Sequence, residues 1–286
     1  MSLNDFIMTN EMPIRIGFFF GIFAVMALWE MVSPRRRLRT SKAIRWTNNL
    51  VLVFFNSIVL RLLFPAAAVG MAVFASEQGW GLFNYVAVPF WLAVLASVVI
   101  MDFFIWLQHV MVHAIPVLWR LHRVHHADLD FDVTTGARFH PLEILLSMLI
   151  KFAVILLLGP PVLAVVVFEV LLNATAMFNH GNVRLPKMLD QYLRLIVVTP
   201  DMHRVHHSVE DDETNSNFGF NLPWWDRLFG TYRAQPRVGH EVMTIGILTF
   251  REDKWCSWLP GMLAIPFIGK VQDYAINRRQ WSGDHE

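Results

Sequence analysis

The pentapeptide HRVHH occurs twice in this chain, at residues 122–126 and 203–207, and what lies between the copies restricts the fold more than anything else in it. From Leu142 to about Met177 the residues are almost all apolar, with a break at "LGPP", residues 158–161. Two consecutive prolines stop a helix, so the pattern predicts two helices of about sixteen residues each rather than one long span. A single crossing would leave the two pentapeptides on opposite sides of a bilayer. A proline-broken hairpin over 142–177, entering and leaving on one side, lets them meet.

A bilayer is required by composition: of 286 residues, 55% are hydrophobic and only 16% charged, where soluble domains carry about 25% charged residues. The run "IRIGFFFGIFAVMALWEMV", residues 14–32, is long enough to span. Asp5 and Glu11 precede it, no small-residue cleavage site follows, and we read it as a retained anchor rather than a signal peptide. The next stretch holds Arg35, Arg36, Arg37, Arg39, Lys42 and Arg45, which the positive-inside rule places in the cytoplasm. A second run from Leu50 to about Ala75 returns outward, with Arg61 either snorkelling or facing a cavity. A third, from about Leu82 to Leu107, delivers Gln108 and His109 to the cytoplasmic face. Asn179 to Arg251 is polar enough for a cytoplasmic cap, and "WCSWLPGMLAIPFIGK" reads as interfacial, with Trp255 and Trp258 at headgroup depth. The expected fold is therefore an all-α integral membrane protein. About three transmembrane helices and the hairpin carry a cytoplasmic helical cap that holds a histidine-rich dimetal site. We treat 1–286 as a single membrane domain: 1–107 helices and basic loop, 108–254 the histidine-rich catalytic region, and 255–286 the interfacial end. The lone Cys256 excludes an internal disulfide and reads as a packing residue. A formal charge of +1 and the lack of a basic, aromatic-interleaved surface give no sign of a nucleic-acid partner.

Ten of the twelve histidines fall between residues 109 and 207. Spacings of three and four place side chains on one helix face, so His109 with His113, His122 with His125 and His126, and His203 with His206 and His207 can each converge on a metal. His140 in "RFHPLE" and His180 in "FNHGN" stand at the two feet of the hairpin and join them as candidate ligands. Imidazoles suit iron, zinc, copper or nickel, and ten of them exceed what one ion can hold, so two ions are expected. His240 and His285 lack companions and read as surface residues. Metal-bound imidazoles usually donate their other N–H to an oxygen, for which Asp102, Asp201, Asp226, Asn179 and Asn217 are candidates. Asp226 has an equal alternative as a turn cap before "RLFGT". The acidic stretches "DLDFD" and "VEDDE" after the two pentapeptides read as solvated loops.

In order and spacing these histidines, with Asp102, "FHPLE", "NHGN" and "NFGFNLPWWDRLFGTY" at 217–232, resemble the fatty acid hydroxylase and sterol desaturase superfamily of integral-membrane oxygenases. The likeness covers roughly residues 98–233 and is greatest to small bacterial members and the alkylglycerol monooxygenase branch. "WLQHVMVH" departs from the usual first box, with Trp106 and Val110 where Tyr and Arg are common. The resemblance implies two iron ions, replaceable by zinc in isolated protein, with O2 as cosubstrate. It implies hydroxylation of a membrane lipid such as a sterol, fatty acyl or ether lipid, with desaturation of the same class as the alternative. No HPGG-bearing cytochrome b5 segment is present, so electrons are expected from a separate ferredoxin or cytochrome b5 type donor with its reductase. A divalent-metal transporter would carry ligands at mid-membrane depth, whereas these histidines flank the apolar runs. A zinc hydrolase needs a base such as the Glu of HExxH, and neither "HVMVH" nor "HRVHH" has one. The basic first loop and the absence of a retention signal at "WSGDHE" point to a bacterial inner membrane rather than endoplasmic reticulum.

Overall fold

A computed structural model of the chain describes residues 3–271. The expectations for His285 and for 272–286 lie outside the described residues. The fold is all helical, and among the described residues β-structure is limited to the isolated bridges Pro34–Val183 and Ser208–Ile245. The helices are α1 (Leu3–Val32), α2 (Lys42–Leu63), α3 (Ala67–Glu77), α4 (Leu82–Tyr85), α5 (Phe90–Ala114), α6 (Pro116–His126), α7 (Pro141–Leu158), α8 (Val162–Asn179), α9 (Lys187–Leu193), α10 (Pro200–His206), α11 (Asp211–Thr214), α12 (Trp224–Leu228), α13 (Asp253–Cys256) and α14 (Leu259–Ala264).

Among the described residues, five stretches are long and apolar enough to cross a membrane: Thr9–Val32, Lys42–Tyr85, Phe90–Ala114, Pro141–Leu158 and Val162–Asn179. The last two are the hairpin. His140 and Pro141 open α7 at its N-cap and first position, and α7 ends on Gly159 in the left-handed region at φ 58°. A side chain there would strike the Trp80 carbonyl at 2.4 Å, so this turn needs glycine twice over. Pro161 then caps α8. The expected return run from Leu50 to Ala75 is not one helix. It breaks at Phe64–Ala66, where Pro65 ends α2 before α3 begins. Large side chains on the outer faces, among them Leu62, Trp91 and Leu157, are exposed, as lipid-facing residues must be.

The interior apolar core joins α3, α5, α7 and α8 through Ala68, Ala72, Met101, Ile155, Val165 and Phe168. A second cluster sets Leu52 of α2, Trp119 and Val124 of α6, and Met262 and Ile265 together. The C-terminal segment therefore does more than lie at an interface. Arg120 donates to the Pro266 and Gly269 carbonyls at 3.1 and 3.0 Å, tying that segment to α6, while Trp258 and Phe267 face outward. Arg61 points away from the interior, its guanidinium 3.8 Å from Met12 Sδ.

The "DLDFD" loop contradicts the expectation of a solvated segment, since Asp128, Asp130 and Asp132 are all buried. Arg45 is the reason: its Nε and Nη2 donate to the Asp128 carboxylate at 2.7 and 2.8 Å, and its Nη1 to Asp132 at 2.6 Å. Asp130 accepts from the Arg39 and Thr40 amides. A fully buried carboxylate persists only with such partners, and the Arg45 and Arg138 guanidinium groups hold the Asp128 carboxyl below its usual range against the effect of burial. The basic loop is thus a clamp on the loop that follows the first HRVHH. In "VEDDE" Glu210 and Asp211 are exposed, whereas Glu213 is buried.

Candidate metal centre

Four local devices aim the histidines. His109 and His113 occupy successive turns at the end of α5, which runs past the expected exit at Leu107. Pro116 at the first position of α6 forces a sharp restart after Ile115, and the last turns of α6 deliver His122, His125 and His126. Thr199 caps α10 by accepting from the Met202 amide, Pro200 follows, and His203 and His206 project from α10 with His207 at its C-cap. His180 caps the C-terminus of α8.

Nine of the ten predicted histidines come together, and all nine are buried. They form two groups, each with its ligand atoms within 4.8 Å of one another: His109, His113, His122, His126 and His206, and His125, His180, His203 and His207. Each HRVHH splits between them. The i,i+4 pair His122 and His126 joins the first group and His125 the second, while His203 and His207 join the second and His206 the first. The groups adjoin, with the His126 and His207 rings stacked at 4.6 Å.

The residues fit metal ions on two observations. Facing Nε2 atoms stand 3.2 Å apart in His113–His126, 3.2 Å in His125–His180 and 3.0 Å in His180–His203. Two nitrogens each about 2.1 Å from one ion and at right angles to each other lie about 3 Å apart. Moreover, Nε2 of His109, His122, His206 and His207 is buried without a hydrogen-bond partner, a costly state that ligation would relieve. Burial foremost, with neighbouring imidazoles, holds His125, His126, His203 and His207 well below the usual histidine range. His206 is lowered in the same way, the Ser216 carbonyl opposing, and burial brings His180 down to about 3. Neutral imidazole is the form that binds metal.

The outer hydrogen bonds are where the structure departs from expectation. His122 Nδ1 donates to Glu143 at 2.6 Å. His109, His206 and His180 donate from Nδ1 to the carbonyls of Phe218 (2.8 Å), Ser216 (2.7 Å) and Ala176 (2.8 Å). His113 Nδ1 lies 3.3 Å from Asn215 Oδ1 and His126 Nδ1 3.5 Å from Thr214 Oγ1. Residues 214–218 therefore hold four of the five imidazoles of the first group. Asn217, at φ 51°, anchors that strip: its side chain donates to the Met202 and Arg233 carbonyls and accepts from the Arg233 amide. Asp226 accepts from the amides of Phe218 and Gly219 at 2.9 and 2.7 Å, from Trp106 Nε1 and from Thr231. It acts on His109 through the Phe218 peptide and caps the turn as well.

The other expected supports go elsewhere. Asp102 accepts from the Asn221 and Leu222 amides and Trp225 Nε1. Asp201 pairs with Arg204 and Arg35. Asn179 donates to the Phe220 carbonyl. None of the three meets a clustered imidazole through these bonds. His140 stands outside both groups because its Nδ1 accepts from the Leu142 amide as the α7 N-cap. His240, expected at the surface, is buried, 3.0 Å from Gln235 and 3.6 Å from Asp201. Sequence reasoning missed Glu143, although it closes the quoted "FHPLE".

Aromatic rings seal the cluster: Phe139 stacks on His125 at 4.5 Å, Phe131 on His180 at 5.5 Å, and Phe218 meets His109, His113 and His206 edge-on. A cavity of about 330 Å³ reaches His109 and His122 from between α1, α2, α5, α7 and α8.

Among known proteins, the chain is similar to an ornithine lipid hydroxylase, OlsE, of Rhizobium tropici, 33% identical over 191 residues that make up 67% of this chain and 55% of the relative. It is also similar to the alkylglycerol monooxygenases of Homo sapiens (29% identical, 54% of this chain and 33% of the relative) and Danio rerio (31% identical, 54% and 34%). The chain thus spans about half of the first relative's length and a third of the others'. No solved structure matches it. The fatty acid hydroxylase family matches at residues 93–231, a segment that holds all nine clustered histidines. Residues 93–231 of this chain belong to the fatty acid hydroxylase family.

Proposed function

We propose that this chain is an O2-dependent di-iron oxidoreductase that hydroxylates an unactivated C–H bond of a membrane lipid. The observation that carries the reading is the pair of buried histidine groups at the end of a cavity enclosed by apolar helices. The names of its relatives, a lipid hydroxylase and alkylglycerol monooxygenases, support it. His109, His113, His122, His126 and His206 would hold one ion, and His125, His180, His203 and His207 the other. Bound there, iron would supply the activation of O2 and the removal of hydrogen from carbon, chemistry that side chains alone do not perform.

The chain's own residues hold, orient and exclude. Glu143 and the carbonyls of Ser216 and Phe218 accept from the Nδ1 N–H groups, which leaves Nε2 of His122, His206 and His109 with its lone pair inward. The rings of Phe131, Phe139, Phe218 and Phe220 keep water from the cluster. His109 and His122 present the centre to the cavity, so a lipid carbon reaches it from the bilayer through that cavity. Electrons come from a separate donor of ferredoxin or cytochrome b5 type. With the Arg35–Arg45 loop on the cytoplasmic side, the centre faces the cytoplasm, in a bacterial inner membrane. Helices, hairpin and cap act as one membrane domain.

The test is product formation. Iron-loaded protein in nanodiscs, given a reductant, a donor protein and isotopically labelled O2, should add one labelled oxygen atom to a lipid of the host membrane. Unlabelled product, or turnover that persists without O2, would overturn the reading.

A further inference from the structure

The cavity has a second end, and it is charged. Arg15 of α1, Lys151 of α7 and Glu169 of α8 all line it, each near the middle of its apolar helix. Lys151 Nζ donates to Glu169 Oε1 at 2.8 Å, and Arg15 Nη1 stands 3.1 Å from Oε2. Ionisable groups at this depth are costly and are kept where they serve function. Arg15 Nη1 also meets Glu11 at 2.7 Å, so the four charges balance. Their hydrogen-bonding capacity does not. Glu169 Oε1 accepts from Lys151, and Oε2 faces the Arg15 cation without a hydrogen bond, whereas Lys151 uses one of its three N–H groups and Arg15 engages only Nη1. The unused donors outnumber the one unused acceptor, Glu169 Oε2, and they call for further acceptor oxygens.

A way in lies beside them. Helices α1 and α2 touch near one end through Met12 and Arg61 and near the other through Phe23 and Trp46, whose rings are 5.4 Å apart. Between these contacts Arg15 and Phe19 on α1, and Val53, Ser57 and Leu60 on α2, line the cavity, with Ser57 exposed and Arg15 a third exposed. Along α7, Lys151 lies eight residues beyond Glu143, the partner of His122, so the two ends are about 12 Å apart, the length of roughly ten chain carbons.

We propose that Arg15 and Lys151 form a polar-group subsite, and that it binds the acceptor oxygens of a lipid entering between α1 and α2, a carboxylate or an acyl ester or amide carbonyl. Glu169 holds the two cations in place. The inference rests on the proposed lipid substrate: the attacked carbon is then set by its distance from the bound oxygens, with the chain running from Lys151 toward His109 and His122.

The experiment maps that orientation by photo-crosslinking and needs no turnover. Protein in nanodiscs is irradiated with dodecanoate carrying a diazirine at its last carbon, and labelled residues are read by mass spectrometry. The expected labels fall on the histidine end of the cavity, at Val112, Phe139 and Ile144. Excess dodecanoate or methyl dodecanoate suppresses them, the stronger of the two telling free acid from ester, while dodecylammonium is at least tenfold less effective. Lys151→Met should reduce the labelling about tenfold without changing bound metal, and Lys151→Arg should restore it. Labels concentrated at Leu60 and the α1–α2 mouth, equal competition by dodecylammonium, or labelling indifferent to Lys151→Met would overturn the subsite and leave the trio as a strut between helices. Correct labelling in protein that hydroxylates nothing would instead count against the proposed reaction alone.

Discussion

The two histidine groups are built from the same pentapeptide and are held very differently. In the five-histidine group every Nδ1 faces an oxygen, at 2.6 to 2.8 Å for His122, His206 and His109 and at 3.3 and 3.5 Å for His113 and His126. In the four-histidine group only His180 is so held, while Nδ1 of His125, His203 and His207 has no partner. Tied rings have one tautomer and one orientation before a ligand arrives; untied rings must be ordered by the ligand itself. The difference comes from the strip Thr214–Phe218, which runs past the first group alone. A duplicated motif therefore yields two unequal positions, a pre-ordered one beside the cavity and a softer one behind it.

That inequality can be broken at its anchor. Asp226→Ala leaves the buried amides of Phe218 and Gly219 and the Trp106 indole without an acceptor, so a loss of about 3 kcal/mol or more is expected. It should be read as a lower thermal midpoint, with metal released first from the five-histidine group. A smaller and more selective effect is expected of Glu143→Gln, which weakens the hold on His122: metal affinity at the five-histidine group should fall about 10- to 100-fold, and chelator titration should find the other group unchanged. If both groups weaken together, the inequality is not set by outer hydrogen bonds. The least effect belongs to His140→Ala. It removes the α7 cap at a cost of about 1 kcal/mol and should leave metal content at the wild-type value, whereas loss of an ion would make His140 a ligand after all.

These contrasts explain which parts of the molecule were legible in its sequence. The hairpin was, because apolar length and a Pro-Pro break act locally, and Gly159 completes the turn where "LGPP" sits. The nine converging histidines were, because spacings of three and four fix a helix face whatever surrounds it. What holds the imidazoles was not. Backbone carbonyls do most of it, and every residue has one, so nothing in the letters marks Ser216 or Phe218. Carboxylates are visible in a sequence and drew attention to Asp102 and Asp201, yet their partners are amides, an indole and arginines far along the chain. "DLDFD" looked solvated because its counter-charge, Arg45, is 83 residues away from Asp128. His140 shows the limit of counting: a histidine at a helix start can serve the backbone instead of a metal.

The central claim is that nine histidines form two distinct metal positions, and iron stoichiometry tests it most directly. Protein expressed with added iron should carry two irons per chain, giving two Mössbauer sites of unequal hyperfine parameters. His206→Ala should lose the iron of the five-histidine group and His125→Ala that of the four-histidine group, each variant retaining one. A single ion in the wild-type protein, or variants that keep both, would contradict the account.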